Sequence, residues 1–167
     1  MGEQKYTSIL KTYKGSYYKM YYLTDTQIII MSNKLRNTDN INITIWDYKN
    51  DRKVKSCIIT YNGSIFNFEL YILKDLRIVY YNESEIFILN PQTLKVEISF
   101  LNSQRINLLR ILPDEQIILA DDKELSIWDT NNGTCLIRYQ TRDKINELYI
   151  NNNLLIAVSN NFIEIRI

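Results

Sequence analysis

The chain has 167 residues, a formal net charge of +1 and no histidine, with 46% of its residues hydrophobic. That is enough chain for one domain with a sizeable core. The near-neutral, interspersed charge argues against nucleic acid as a partner. No apolar run reaches the length of a membrane span, so no membrane is expected either.

The N-terminus, Met1-Gly2-Glu3-Gln4-Lys5-Tyr6, lacks the apolar centre of a signal peptide, and Tyr6 stands where a myristoylation signal wants Ser or Thr. The sequence therefore reads as intracellular and cytoplasmic. The sequons at Asn42, Asn62, Asn82 and Asn132 are then accidents of an Asn-rich chain. The Asn, Ile, Lys and Tyr bias points to an AT-rich genome. The basic cluster Lys49, Arg52, Lys53 and Lys55, interrupted by Asp51, reads as a solvated strand edge.

Taken in chain order, the apolar pattern falls into short runs separated by turn residues. An isolated strand over 6–13 comes first. Four strands follow at 18–23, 27–31, 43–48 and 54–60, then four at 66–72, 76–80, 85–89 and 94–100. Four more lie at 106–112, 116–120, 124–129 and 134–139, and three at 145–150, 154–159 and 162–167. Each run is too short for a helix and rich in β-branched or aromatic residues. The turns carry Asp-Thr, Asn-Pro, Pro-Asp and Asn-Asn-Gly, all with turn chemistry.

These runs repeat. Ile45-Trp46-Asp47 returns as Ile88-Leu89-Asn90, as Ile127-Trp128-Asp129 and as Ile165-Arg166, in steps of 43, 39 and 38 residues. A second phrase, Thr12-Tyr13-Lys14-Gly15-Ser16, returns as Thr60-Tyr61-Asn62-Gly63-Ser64 and more loosely around Phe100 and Tyr139. A polar insert at 34–42 accounts for the long first step. A period near 40 with four strands per unit is the blade of a β-propeller, each unit burying its faces on its neighbours.

The residues Ile45-Trp46-Asp47 and Ile127-Trp128-Asp129, with the following Thr130-Asn131-Asn132-Gly133, resemble the WD-repeat family over nearly the whole chain. The resemblance implies an all-β propeller of four blades forming a single domain over 1–167. Its signature positions are Gly15, Gly63, Trp46, Asp47, Leu89, Asn90, Asp122, Trp128 and Asp129. Asp122 takes the family's acidic turn position, and Asp47 and Asp129 cap turns. The family's usual Gly-His pair is replaced by Gly-Ser, so the blades should lean on Ile and Tyr packing instead.

The last unit lacks an outer strand, which the strand at 6–13 is expected to supply beside 162–167. Three closures stay open: a ring of four blades, an eight-bladed ring from two copies, or a ring shared with another chain. Bulky inner strands such as Asn107–Ile111 favour an assembly.

No catalytic group emerges. Without His there is no Ser-His or Cys-His pair and no imidazole ligand, and Asp121 and Asp122 are adjacent residues that should point apart. No enzyme, cofactor or metal is expected. Cys57 and Cys135 hold equivalent places in non-adjacent units, so a disulfide between them is not expected. The function expected is a protein-interaction scaffold. The family docks partners on the loops before the inner strand and between the second and third strands. Mapped here, these are Lys14, Ser16, Tyr17, Lys34, Leu35, Arg36, Asn37, Thr38, Asp39, Asn62, Glu83, Gln104, Arg105, Asp121, Lys123, Arg142 and Lys144. Leu35 and Arg36 would anchor the insert. The alternative is an architectural subunit acting through exposed strand edges, with a homodimer as one form.

Overall fold

The structure, a computed structural model, describes residues 16–33, 40–60, 68–151 and 154–166. It is all-β. Among the described residues, fifteen strands form four antiparallel meanders. The first sheet holds β1 (Ser16–Tyr22), β2 (Gln27–Asn33), β3 (Asn40–Asp47) and β4 (Arg52–Thr60). The second holds β5 (Tyr71–Ile72), β6 (Ile78–Asn82), β7 (Glu85–Leu89) and β8 (Val96–Leu101). The third holds β9 (Leu108–Ile111), β10 (Ile117–Ala120), β11 (Glu124–Trp128) and β12 (Cys135–Gln140). The fourth holds β13 (Ile145–Asn151), β14 (Leu154–Ser159) and β15 (Ile163–Arg166).

Every strand expected within the described residues is present, with bounds moved by a few residues. The strand expected at 6–13, and with it the closure of the fourth sheet, lies outside the described residues.

Two leucines mark where the bounds failed. Leu76 and Leu94 were expected to open strands, yet both sit in turns with positive φ, 71° and 55°. Asp51, Leu94 and Gly133 occupy the same turn between third and fourth strands, four residues after Asp47, Asn90 and Asp129, and all have positive φ. The left-handed conformation is imposed by the turn; only the third sheet uses the residue that adopts it freely.

The insert is shorter than expected. Residues 40–42 belong to β3, pairing Asn40 with Thr60 and Asn42 with Ser32 and Ile58. The extra residues thus extend the ladder: β2, β3 and β4 run 7, 8 and 9 residues, against 5, 5 and 6 in the second sheet.

The core lies between sheets. One apolar cluster joins the first and second through Ile29, Ile43, Ile45, Ile78 and Tyr80. A second joins the second and third through Val79, Ile86, Ile88, Ile117 and Trp128. A third joins the third and fourth through Ile118, Leu125, Leu148 and Ala157. Alternation along β6 explains this: Ile78 and Tyr80 face one neighbour, Val79 the other. Burial of β10 at all four positions marks a sheet sandwiched on both sides. Among the described residues no apolar cluster joins the fourth sheet to the first.

Candidate interaction site

The aspartate or asparagine after each Trp position ties its turn. Asp47 accepts the Asn50 amide N–H at 3.0 Å and its side chain at 2.8 Å. Asn90 accepts from Gln92 and Thr93 at 2.8 and 2.9 Å. Asp129 accepts from Asn131 at 2.8 Å. The Asn50 side chain, more than any other group, holds the Asp47 carboxyl below the usual carboxylate range. These are Asx turns at repeat positions, as the turn-capping expectation required. Leu89 is buried, whereas Trp46 is only partly so.

Trp128 is held by buried partners of its own. Its indole N–H donates to Ser126 Oγ at 2.8 Å, its ring stacks on Phe100 at 4.8 Å, and Arg138 lies 5.3 Å above it. A buried indole needs such a partner. The Ser126 hydroxyl carries no signal that sequence reasoning could have used.

At one end of the sheets the structure gathers Glu83, Gln104, Arg105, Asp121, Asp122, Lys123 and Lys144. The Ile106 amide donates to the Glu83 carbonyl at 2.7 Å, and the Thr141 amide to the Lys123 carbonyl at 2.8 Å. Glu83, Gln104, Arg105, Lys123, Arg142 and Lys144 are exposed.

The roles expected of the two adjacent aspartates are exchanged. Asp121, expected on the partner-facing surface, is 1% exposed. It accepts the Lys123 amide and the Asn102 side chain, both at 2.9 Å. Asp122, expected as the structural acid, is exposed and reaches Lys144 at 2.9 Å and Asn107 at 2.8 Å. Lys144, then Asn107, hold its carboxyl below the ordinary range. The turn can fold only one carboxylate inward, and adjacent residues point apart; here the first is the inward one. Arg142 lies 5.7 Å above the Phe162 ring. Lys14, Gly15, Lys34, Leu35, Arg36, Asn37, Thr38, Asp39, Asn62 and Gly63 lie outside the described residues. Ser16 and Tyr17 open β1 opposite Asn33 and Ser32.

Sequence reasoning missed a second feature, the inner strands. Lys19 donates to the Phe68 carbonyl at 3.0 Å and approaches Glu69 at 3.7 Å. The Leu70 amide donates to the Tyr21 hydroxyl at 3.2 Å. One sheet further on, the Tyr71 hydroxyl lies 2.6 Å from the Leu109 carbonyl and 2.8 Å from Glu69, and accepts from Arg110 at 3.1 Å. Burial raises the Tyr71 phenol above its ordinary value, helped by Glu69. Tyr21 and Tyr71 are equivalent, each tying its strand to the next inner strand. The repeat places Arg110 and Tyr149 at the same position.

The same equivalence isolates two ends. Met20 corresponds to Leu70, Leu109 and Leu148. Those three are 3%, 0% and 5% exposed, but Met20 is 62% exposed. Ile163 corresponds to Ile43, Ile86 and Leu125. Those are 0%, 0% and 1% exposed, but Ile163 is 68% exposed. Met20 lies on the face of the first sheet turned away from the second, with Tyr22, Ile28 and Ile30. Ile163 lies on the face of the fourth turned away from the third, with Tyr149, Ile156 and Val158.

Cys57 and Cys135 are free and pack in different clusters, and burial pushes the Cys57 thiol up. No group of three or more potential ligands is present among the described residues, nor any helix long and apolar enough to cross a membrane.

Solved structures share this architecture. The chain is similar to the computationally designed Ika8 protein (TM-score 0.62, 12% identity, 89% of this chain and 45% of that one). It is similar to the Dos1 propeller (0.64, 12%, 84% and 38%) and to the Pan2 WD40 domain of Neurospora crassa (0.58, 10%, 86% and 43%). The fold is that of a WD40-like β-propeller. The chain spans less than half the length of each of these. No family model matches the sequence, and no curated protein does.

Proposed function

We propose that the protein is a non-catalytic interaction scaffold, an architectural propeller sector of four sheets that works through the uncovered faces of its first and last sheets. The observation that carries this is the exposure of Met20 and Ile163 at positions that are buried in every other sheet. A sheet buried on one face only is stable at its covered face, and contiguous apolar surface on the other marks a contact. The three repeated sheet-to-sheet contacts within the chain are the template for what the end faces accept.

The loop end is the competing surface, with exposed Glu83, Arg105 and Lys123. Two of its charged members are already engaged, Lys144 with Asp122 of the third sheet and Arg142 over the Phe162 ring. Photo-crosslinking amino acids placed singly at 20, 149, 105 and 123 separate the two in cells. Adducts at 20 and 149 are expected. Adducts confined to 105 and 123 would move the scaffold's contact to the loops and overturn the end-face reading.

A further inference from the structure

We infer that the occupant of the end faces is a second copy of this chain, seated head to tail so that two copies close a ring of eight sheets. This rests on the open-faced scaffold reading and deepens it by naming the partner.

The chain carries both halves of its own joint. Inside it, the forward face of one sheet meets the backward face of the next three times. Each joint seats a leucine in, or one residue before, the following inner strand: Leu70, Leu109 and Leu148. In two of them a tyrosine, Tyr21 or Tyr71, reaches the backbone of that leucine. The forward face of the fourth sheet presents Tyr149, the next tyrosine of the series, 56% exposed. The backward face of the first sheet presents Met20, the missing member of the leucine series.

Tyr149 therefore fits beside Met20 as Tyr21 fits beside Leu70. Because the joint is heterologous, one copy leaves both ends open, and it closes only if the rotation per step completes a circle. The four sheets follow under half of each similar structure, and an arc of that extent is one that a second set of four sheets would continue.

Light scattering across a concentration series tests this. The wild type is expected at twice 19.9 kDa. Met20→Glu and Ile163→Lys should each return it to one chain's mass with the strand circular dichroism unchanged. A dimer that survives both substitutions, or masses that climb past two chains, overturns the ring. A single-chain mass at all concentrations also overturns it, and peroxide oxidation then shows how far the failure reaches. Met20 oxidised much faster than fully buried Met31 would leave the open-faced scaffold and remove only the second copy. Met20 as slow as Met31 would remove both.

Discussion

The Asp121 carboxylate accepts the Asn102 side-chain amide at 2.9 Å, and both side chains are almost fully buried. Asn102 also donates to the Gln104 carbonyl at 3.1 Å. The pair thus ties the turn after β10 to the loop entering the third sheet. Asp121→Ala leaves the Asn102 amide and the Lys123 N–H without this acceptor. It should cost about 2–4 kcal/mol in urea unfolding. Asp122→Ala, one residue on, should cost far less, because its ion pair is exposed and screened. Equal costs would refute the exchange of roles.

The left-handed turns predict opposite signs for one substitution. Asp51 is exposed at φ 50°, so Asp51→Gly should stabilise by about 0.5–1 kcal/mol. Leu94 is 5% exposed at φ 55°, in the first inter-sheet cluster. Leu94→Gly relieves strain but loses a buried side chain, and should destabilise by about 2–4 kcal/mol. Thermal melts of the two variants should move in opposite directions.

Gly133 is where glycine is required twice over. Its φ is 71°, and an added Cβ would lie 2.8 Å from Phe100 Cδ1. Gly133→Ala should cost about 1–3 kcal/mol and disturb the Phe100–Trp128 stack. A change in Trp fluorescence with the loss of stability is expected; an unchanged spectrum and midpoint would contradict the crowding.

Acid should act through Asp47 and Asp122. Both carboxyls are depressed in the folded chain, by Asn50 and by Lys144 first. Their contribution is therefore present above the unfolded carboxyl pKa of about 3.9 and lost as pH falls through the folded value. The melting-temperature gap between wild type and Asp47→Asn should shrink as pH falls from about 5 towards 2. A gap constant across that range would exclude the linkage.

The repeat, the strands and the turn-capping role of Asp47 and Asp129 were legible because each has a local cause: alternation, turn chemistry and a recurring phrase. Leu76 and Leu94 misled because their turns impose a left-handed backbone that a leucine does not signal. The exchange of Asp121 and Asp122 turned on which of two neighbours faces inward, which a one-residue register slip decides. The end faces were invisible for another reason. Met20 and Leu148 are equally apolar in sequence, and only the neighbouring sheet distinguishes them.

The most direct measurement is the oxidation rate of Met20 relative to Met31 as protein concentration rises. A first sheet whose outer face is covered by a second copy predicts fast Met20 oxidation in dilute protein, slowing as the mass doubles. Oxidation as slow as that of Met31 at every concentration, in a chain of single mass, would mean the first and fourth sheets cover each other, and would contradict the account.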